Sequence, residues 1–140
     1  MRMAAAHKQP DLVWLFDLDN TLHNASAFIF PTIDGLMTQS IAQLLDVSTS
    51  QANQLRHDYW QRYGATLIGL IKHHGICHKQ FLHLSHDFDV VAQVLSESGL
   101  ARHLKRLPGR KVLCTNAPAN YAHRVVNELG IQPLFERVFS

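Results

Sequence analysis

The stretch DLVWLFDLDNTL (Asp11–Leu22) decides the reading of this chain. It opens as a short apolar run with β-branched and aromatic side chains and stops abruptly at Asp17. Such a run, too short for a helix and without alternation, predicts a strand buried on both faces, as in parallel sheets. Asp17 is expected as the last residue of that strand, at its carboxyl end, and Asp19 follows on the polar, turn-rich loop on the same side. In open α/β sheets this is where ligands bind. Two carboxylates two residues apart supply the two parts that transfer of a phosphoryl group to a carboxylate requires. One part is an ionised nucleophile held in line with the leaving group. The other is an acid that protonates the departing alkoxide and then activates water. The pair repels an incoming phosphate in a low-dielectric site. A Mg²⁺ ion bridging carboxylate and phosphate removes that repulsion, and hard oxygen ligands suit it. Thr21 is placed to hydrogen-bond the loop. A solvated acidic turn is the bland alternative; the strand before the motif and the helix after it favour the chemical reading.

Moving outward, a helix is expected from Ile33, with Ile33, Leu36, Met37, Ile41, Leu44 and Leu45 on one face. Ser48 with Gln51 forms a capping box that starts a second helix, closed at Gly64. A third runs from Thr66 to His74 and stops at Gly75. Shorter helices are expected over His78–Leu84, Val90–Leu95 and Leu100–Leu107. After the turn signal Pro108-Gly109, KVLCT (Lys111–Thr115) reads as a second buried strand with Cys114 inside it. Residues 119–129 read as a helix closed by Gly130, and RVFS as the start of a third strand. Pro118 suits the first turn of the helix and Asn116 a cap nearby. Free N–H groups at that helix start attract anions.

Composition bounds the function classes. The 140 residues are 46% hydrophobic and 17% charged, an ordinary globular balance. A net charge of +2, from 13 basic and 11 acidic side chains, gives no ground for nucleic-acid binding. Two cysteines, Cys77 and Cys114, make no disulfide framework. With no signal peptide and no apolar run long enough to span a membrane, a cytoplasmic setting is expected. His73, His74, Cys77 and His78 invite a zinc reading, but their spacing matches no standard site, and solvated or packing histidines are the better expectation.

DLVWLFDLDNTL resembles the first motif of the haloacid-dehalogenase-like (HAD) hydrolases, and VLCTNAP (Val112–Pro118) resembles their second. The resemblance implies a Rossmann-like core with a mobile helical cap. It assigns Asp17 as nucleophile and Asp19 as acid/base, and gives Mg²⁺ the Asp17 carboxylate and the Asp19 backbone carbonyl. Thr115, with Asn116 beside it, becomes the phosphate contact. An acid at position 19 favours a phosphatase over a dehalogenase. YGATLIGLIKHHG (Tyr63–Gly75), HDF (His86–Phe88) and LCTNAPANYAHRVVNELGI (Leu113–Ile131) resemble the pyrimidine 5′-nucleotidase branch, which implies a nucleoside 5′-monophosphate such as UMP or CMP. Tyr63, Phe88 and Asn116 are candidates for base or ribose contacts, or else belong to cap packing and capping. The expected layout is an α/β fold: residues 1–23 and 107–140 as a partial parallel-sheet core, 24–106 as an all-helical cap.

The family's downstream lysine and acidic metal ligands have no match here, so the chain is expected to be C-terminally truncated. Three alternatives stay open: an active phosphatase of this branch, a phosphoglycolate-phosphatase-like or other small-molecule phosphatase, and a defective paralogue that binds a nucleotide or a partner. Self-association through an incomplete sheet is expected to accompany truncation.

Overall fold

The computed structural model describes residues 12–140, so Asp11, the expected first residue of the leading strand, lies outside the described residues. The fold is mixed α/β, with a three-stranded parallel sheet and otherwise helices. The strands are β1 (Val13–Phe16), β2 (Arg110–Cys114) and β3 (Arg137–Phe139), in the order β1-β2-β3. Val13 pairs with Arg110 and Phe16 with Leu113; Val112 pairs with Arg137 and Cys114 with Phe139. The helices are α1 (Ile29–Leu45), α2 (Thr49–Tyr63), α3 (Thr66–His74), α4 (His78–Ser85), α5 (Leu100–Arg106) and α6 (Ala119–Glu128). None of the described helices is long and apolar enough to cross a membrane.

The chain divides into two compact units. The first joins residues up to Asn24 with Leu95–Ser140, and the second is Ala25–Val94. The sequence reading drew this second boundary at residues 106 and 107. In the structure α5 lies in the first unit, where it meets the 3₁₀ turn Gln132–Leu134.

In the first unit, β2 is central, and Lys111, Val112 and Leu113 are buried. Tyr121, Ala122, Val125 and Val126 form the buried stripe of α6, and the C-cap residue Leu129 is buried after them, at the spacing that places them on one helical face. Phe16 meets Phe135 edge-on, with ring centroids 5.8 Å apart. The indole of Trp14 donates to the Pro108 carbonyl at 2.8 Å, tying β1 to the turn before β2. Here the expectation of a strand buried on both faces fails. Val13 is exposed and Leu15 is 71% exposed, while Trp14 and Phe16 are half-buried. Among the described residues β1 is an edge strand of this sheet, and its Trp14/Phe16 face is the more covered one. Cys114, expected inside, is half-buried at the end of β2.

In the second unit, Ile41, Ala52, Leu70 and Phe81 make the core, flanked by Met37, Leu44, Leu45, Leu55, Tyr59, Leu67 and Ile76. The capping box is formed: Gln51 N–H donates to Ser48 Oγ at 3.2 Å, and Ser48 N–H donates to Gln51 Oε1 at 3.0 Å. Such a cap is worth about 1 kcal/mol. Gly64 and Gly75 close α2 and α3 as the sequence indicates. Gly69 has a different task. A Cβ there would run into the ring of Tyr59, so only glycine lets α3 approach α2 this closely.

Most boundaries fall within one residue of expectation, and two helices differ by more. α1 begins at Ile29, not Ile33, and takes Pro31 into its first turn, where a missing N–H costs nothing. Of the expected Val90–Leu95 helix only the 3₁₀ turn Val91–Gln93 forms. Its three valines are stiff at χ1, and the stretch is too short to repay helix nucleation.

Candidate active site

Parallel pairing puts the carboxyl ends of β1 and β2 side by side. Asp17 is the first residue after β1, and Thr115 the first after β2. The chain then turns sharply past Asp19. Asn20 takes a left-handed conformation, φ 58°, which asparagine tolerates better than most residues. The N–H groups of Thr21 and Leu22 both return to the Leu18 carbonyl, at 3.2 and 2.9 Å. Leu18 is buried and anchors the turn, so Asp17 and Asp19 flank a fixed point. The Thr21 hydroxyl donates to Asp17 Oδ2 at 3.1 Å, as expected of a loop-fixing residue. Among the described residues no other hydrogen bond reaches Asp17.

Asp19 is held more firmly. Tyr121 Oη donates to its Oδ1 at 2.6 Å, and His23 Nε2 lies 2.9 Å from the same oxygen. The His23 side chain is fully enclosed, whereas that of Asp19 keeps 17% of its surface open. Burial, and next the hydrogen bond to Asp19, push the Tyr121 phenol far above the ordinary tyrosine range, so it is a neutral donor. His23 Nδ1 is buried and has no hydrogen-bond partner among the described residues.

At the second strand end, Ala117 N–H donates to Thr115 Oγ1 at 3.1 Å. The hydroxyl therefore accepts from its own loop and keeps its hydrogen for another acceptor. This arrangement moves Pro118 to the N-cap of α6, outside the first turn where the sequence reading put it. Asn116 is exposed and makes no cap bond to α6; the nearest side-chain bond of that kind is Tyr121 N–H to Asn120 Oδ1 at 2.8 Å.

A cleft of about 340 Å³ opens beside the loop, lined by Asn20, Thr21, His23, Asn24, Glu97 and Leu100 among others. Among the described residues no Lys or Arg forms an ion pair with Asp17 or Asp19. Lys111 is spent elsewhere, its Nζ donating to the carbonyls of Leu107 and Gly109 at 2.8 and 3.3 Å. No group of three or more metal-ligating side chains occurs among the described residues.

The sequence reading thus has Asp17, Asp19 and Thr115 at one end of one sheet, with Asn116 beside them. It missed His23 and Tyr121. His23 lies four residues after Asp19, a spacing with no meaning in a loop of unknown shape. Tyr121 belonged to a helix whose buried face was evident, and nothing local separates a core tyrosine from one that reaches a carboxylate. Elsewhere, in the second unit, His73 and His74 are engaged by Tyr63 and Tyr59, whose hydroxyls lie 2.6 and 2.7 Å from the respective Nε2 atoms.

No protein-family profile matches the chain. A curated relative, Phosphate metabolism protein 8 of Saccharomyces cerevisiae, is 31% identical over 139 residues, covering 90% of this chain and 42% of that protein. The chain therefore spans less than half the length of this relative. Among solved structures, the HAD-hydrolase YfnB of Bacillus subtilis bound to magnesium matches with a TM-score of 0.46 at 14% identity, over 91% of this chain and 62% of that one.

Proposed function

We propose that this chain carries the first two catalytic segments of a HAD-like phosphomonoester hydrolase, acting through an aspartyl-phosphate on Asp17. The observation that carries the reading is the placement of Asp17 and Thr115 at adjacent carboxyl ends of paired parallel strands, with Asp19 fixed beside them. Asp17 offers a carboxylate oxygen free of hydrogen bonds from described residues, which suits an in-line nucleophile. Asp19 protonates the leaving oxygen and later takes a proton from water. Thr115 donates its free O–H to a phosphate oxygen, and Asn116 extends the same phosphate-binding turn.

The Asp17 carboxylate and the Asp19 backbone carbonyl fit Mg²⁺, which accepts one or two protein oxygens and keeps several waters. When bound, it would neutralise charge between carboxylate and phosphate. On this reading the sheet unit, up to Asn24 and from Leu95 to Ser140, is the core and Ala25–Val94 supplies the cap.

The proposed substrate is a pyrimidine nucleoside 5′-monophosphate, supported by the resemblance of Tyr63–Gly75 and Leu113–Ile131 to that branch. The test is phosphate release from a panel of UMP, CMP, AMP, GMP and phosphoglycolate. Preference for UMP and CMP is expected; equal rates on AMP, or best activity on phosphoglycolate, would replace the substrate assignment.

A second reading, a catalytically defective protein that binds the nucleotide, is favoured by the lack of a Lys or Arg ion pair to Asp17 among the described residues. Calorimetric binding of UMP without phosphate release would support it.

A further inference from the structure

We propose that Tyr121 and His23 are positioning residues that commit Oδ1 of Asp19 to the protein, so that Oδ2 alone carries the acid/base proton; this rests on the phosphatase reading above. A carboxylate has two equivalent oxygens until its surroundings distinguish them. Here both donors converge on one. Tyr121 Oη approaches Oδ1 at 2.6 Å and His23 Nε2 at 2.9 Å, the short lengths of hydrogen bonds to a charged acceptor. No described residue bonds Oδ2. Because Tyr121 sits on α6 and is itself buried, its hydroxyl holds the carboxylate by a rigid element rather than a loop. His23, its side chain fully enclosed, adds a second contact to the same oxygen.

The consequence is directional. Oδ2–H donates to the leaving-group oxygen as its bond to phosphorus breaks, and the same Oδ2 later receives a proton from the attacking water. Loss of either donor frees the carboxylate to rotate, and the proton is then offered from two oxygens in unproductive orientations.

A freely rotating acid matters most where the leaving group needs a proton. The experiment compares kcat/KM of the full-length protein on alkyl phosphates with kcat/KM on p-nitrophenyl phosphate, whose leaving group departs unprotonated. Tyr121→Phe and His23→Leu are expected to lower kcat/KM on alkyl esters by about tenfold or more, a fraction of the full acid/base contribution. Little change is expected on the aryl ester. His23→Gln, which keeps a donor, should recover part of the loss. Equal losses on both substrate types, or none, would overturn the positioning role; should Tyr121→Phe fail to fold, the two His23 variants decide alone.

A wild-type protein without phosphatase activity on any ester would end the parent reading and the role of Oδ2 with it. The bond itself is read separately by ¹⁵N NMR of the His23 ring. A proton on Nε2 is expected, and an Nδ1–H tautomer would refute His23 as a donor to Asp19 whatever the activity.

Discussion

Asp17 and Thr115 stand one residue past the ends of neighbouring parallel strands, so nucleophile and phosphate-binding hydroxyl are registered by the sheet itself. The hydroxyl of Thr115 accepts from Ala117 N–H, which orients it. Thr115→Val removes a preorganised donor and is expected to lower kcat by about 10²–10³. Thr115→Ser should stay within a few-fold of wild type by steady-state kinetics. A harmless Val variant would remove Thr115 from the site.

Asp17→Asn and Asp19→Asn should fail differently. With Asn at 17 no acyl phosphate forms, and acid quenching during turnover should trap none. With Asn at 19, p-nitrophenyl phosphate still phosphorylates Asp17, but water is not activated. Labelled phosphoenzyme should therefore accumulate while turnover falls by on the order of 10² or more. Near-normal turnover in either variant contradicts its role.

Chelation tests the metal. Excess EDTA is expected to abolish phosphate release, and added Mg²⁺ to restore it, because two carboxylates facing a phosphate dianion leave the charge uncompensated. Unchanged turnover in EDTA would rule Mg²⁺ out.

Tyr121 couples the site to stability at high pH. Its phenol is held neutral by burial and by Asp19, whereas in the unfolded chain it ionises near its ordinary value of about 10. Below that pH the contribution is fully present. Above it the unfolded state sheds a proton that the folded state keeps, so stability falls as pH rises. Urea titrations from pH 8 to 11 should show a steeper decline for wild type than for Tyr121→Phe. Parallel declines would show that the phenol is not selectively buried.

Much of this was legible in residues 11–22 and in the punctuation of the helices. Ser48 with Gln51, Gly64 and Gly75 marked α2 and α3 because capping is a local interaction, decided within four residues. The start of α1 was missed because Pro31 reads as a boundary unless it falls in a first turn. β1 reads as buried on both faces because seven residues carry no information about how many strands lie beside them. Asp17, Asp19 and Thr115 announced themselves by their place at the ends of apolar runs, although both strands stop one residue earlier, at Phe16 and Cys114. The grip on Asp19 did not, since Tyr121 is brought to it only by the crossover between parallel strands, a contact 102 residues apart in sequence.

The discontinuity of the first unit also sets an order of events during synthesis. Helices α1 to α4 lie within one contiguous stretch, with neighbours close in sequence, and such local contacts form fast. β1 leaves the ribosome before them, yet among the described residues its partner strand is β2, beyond the whole helical stretch. Early folding of that stretch shortens the loop that must close before the strands meet. Until then Leu12, Val13 and Leu15 travel as an unpaired apolar strand. Such a segment is open to wrong pairing until β2 arrives, and a chaperone that covers it would protect the nascent chain.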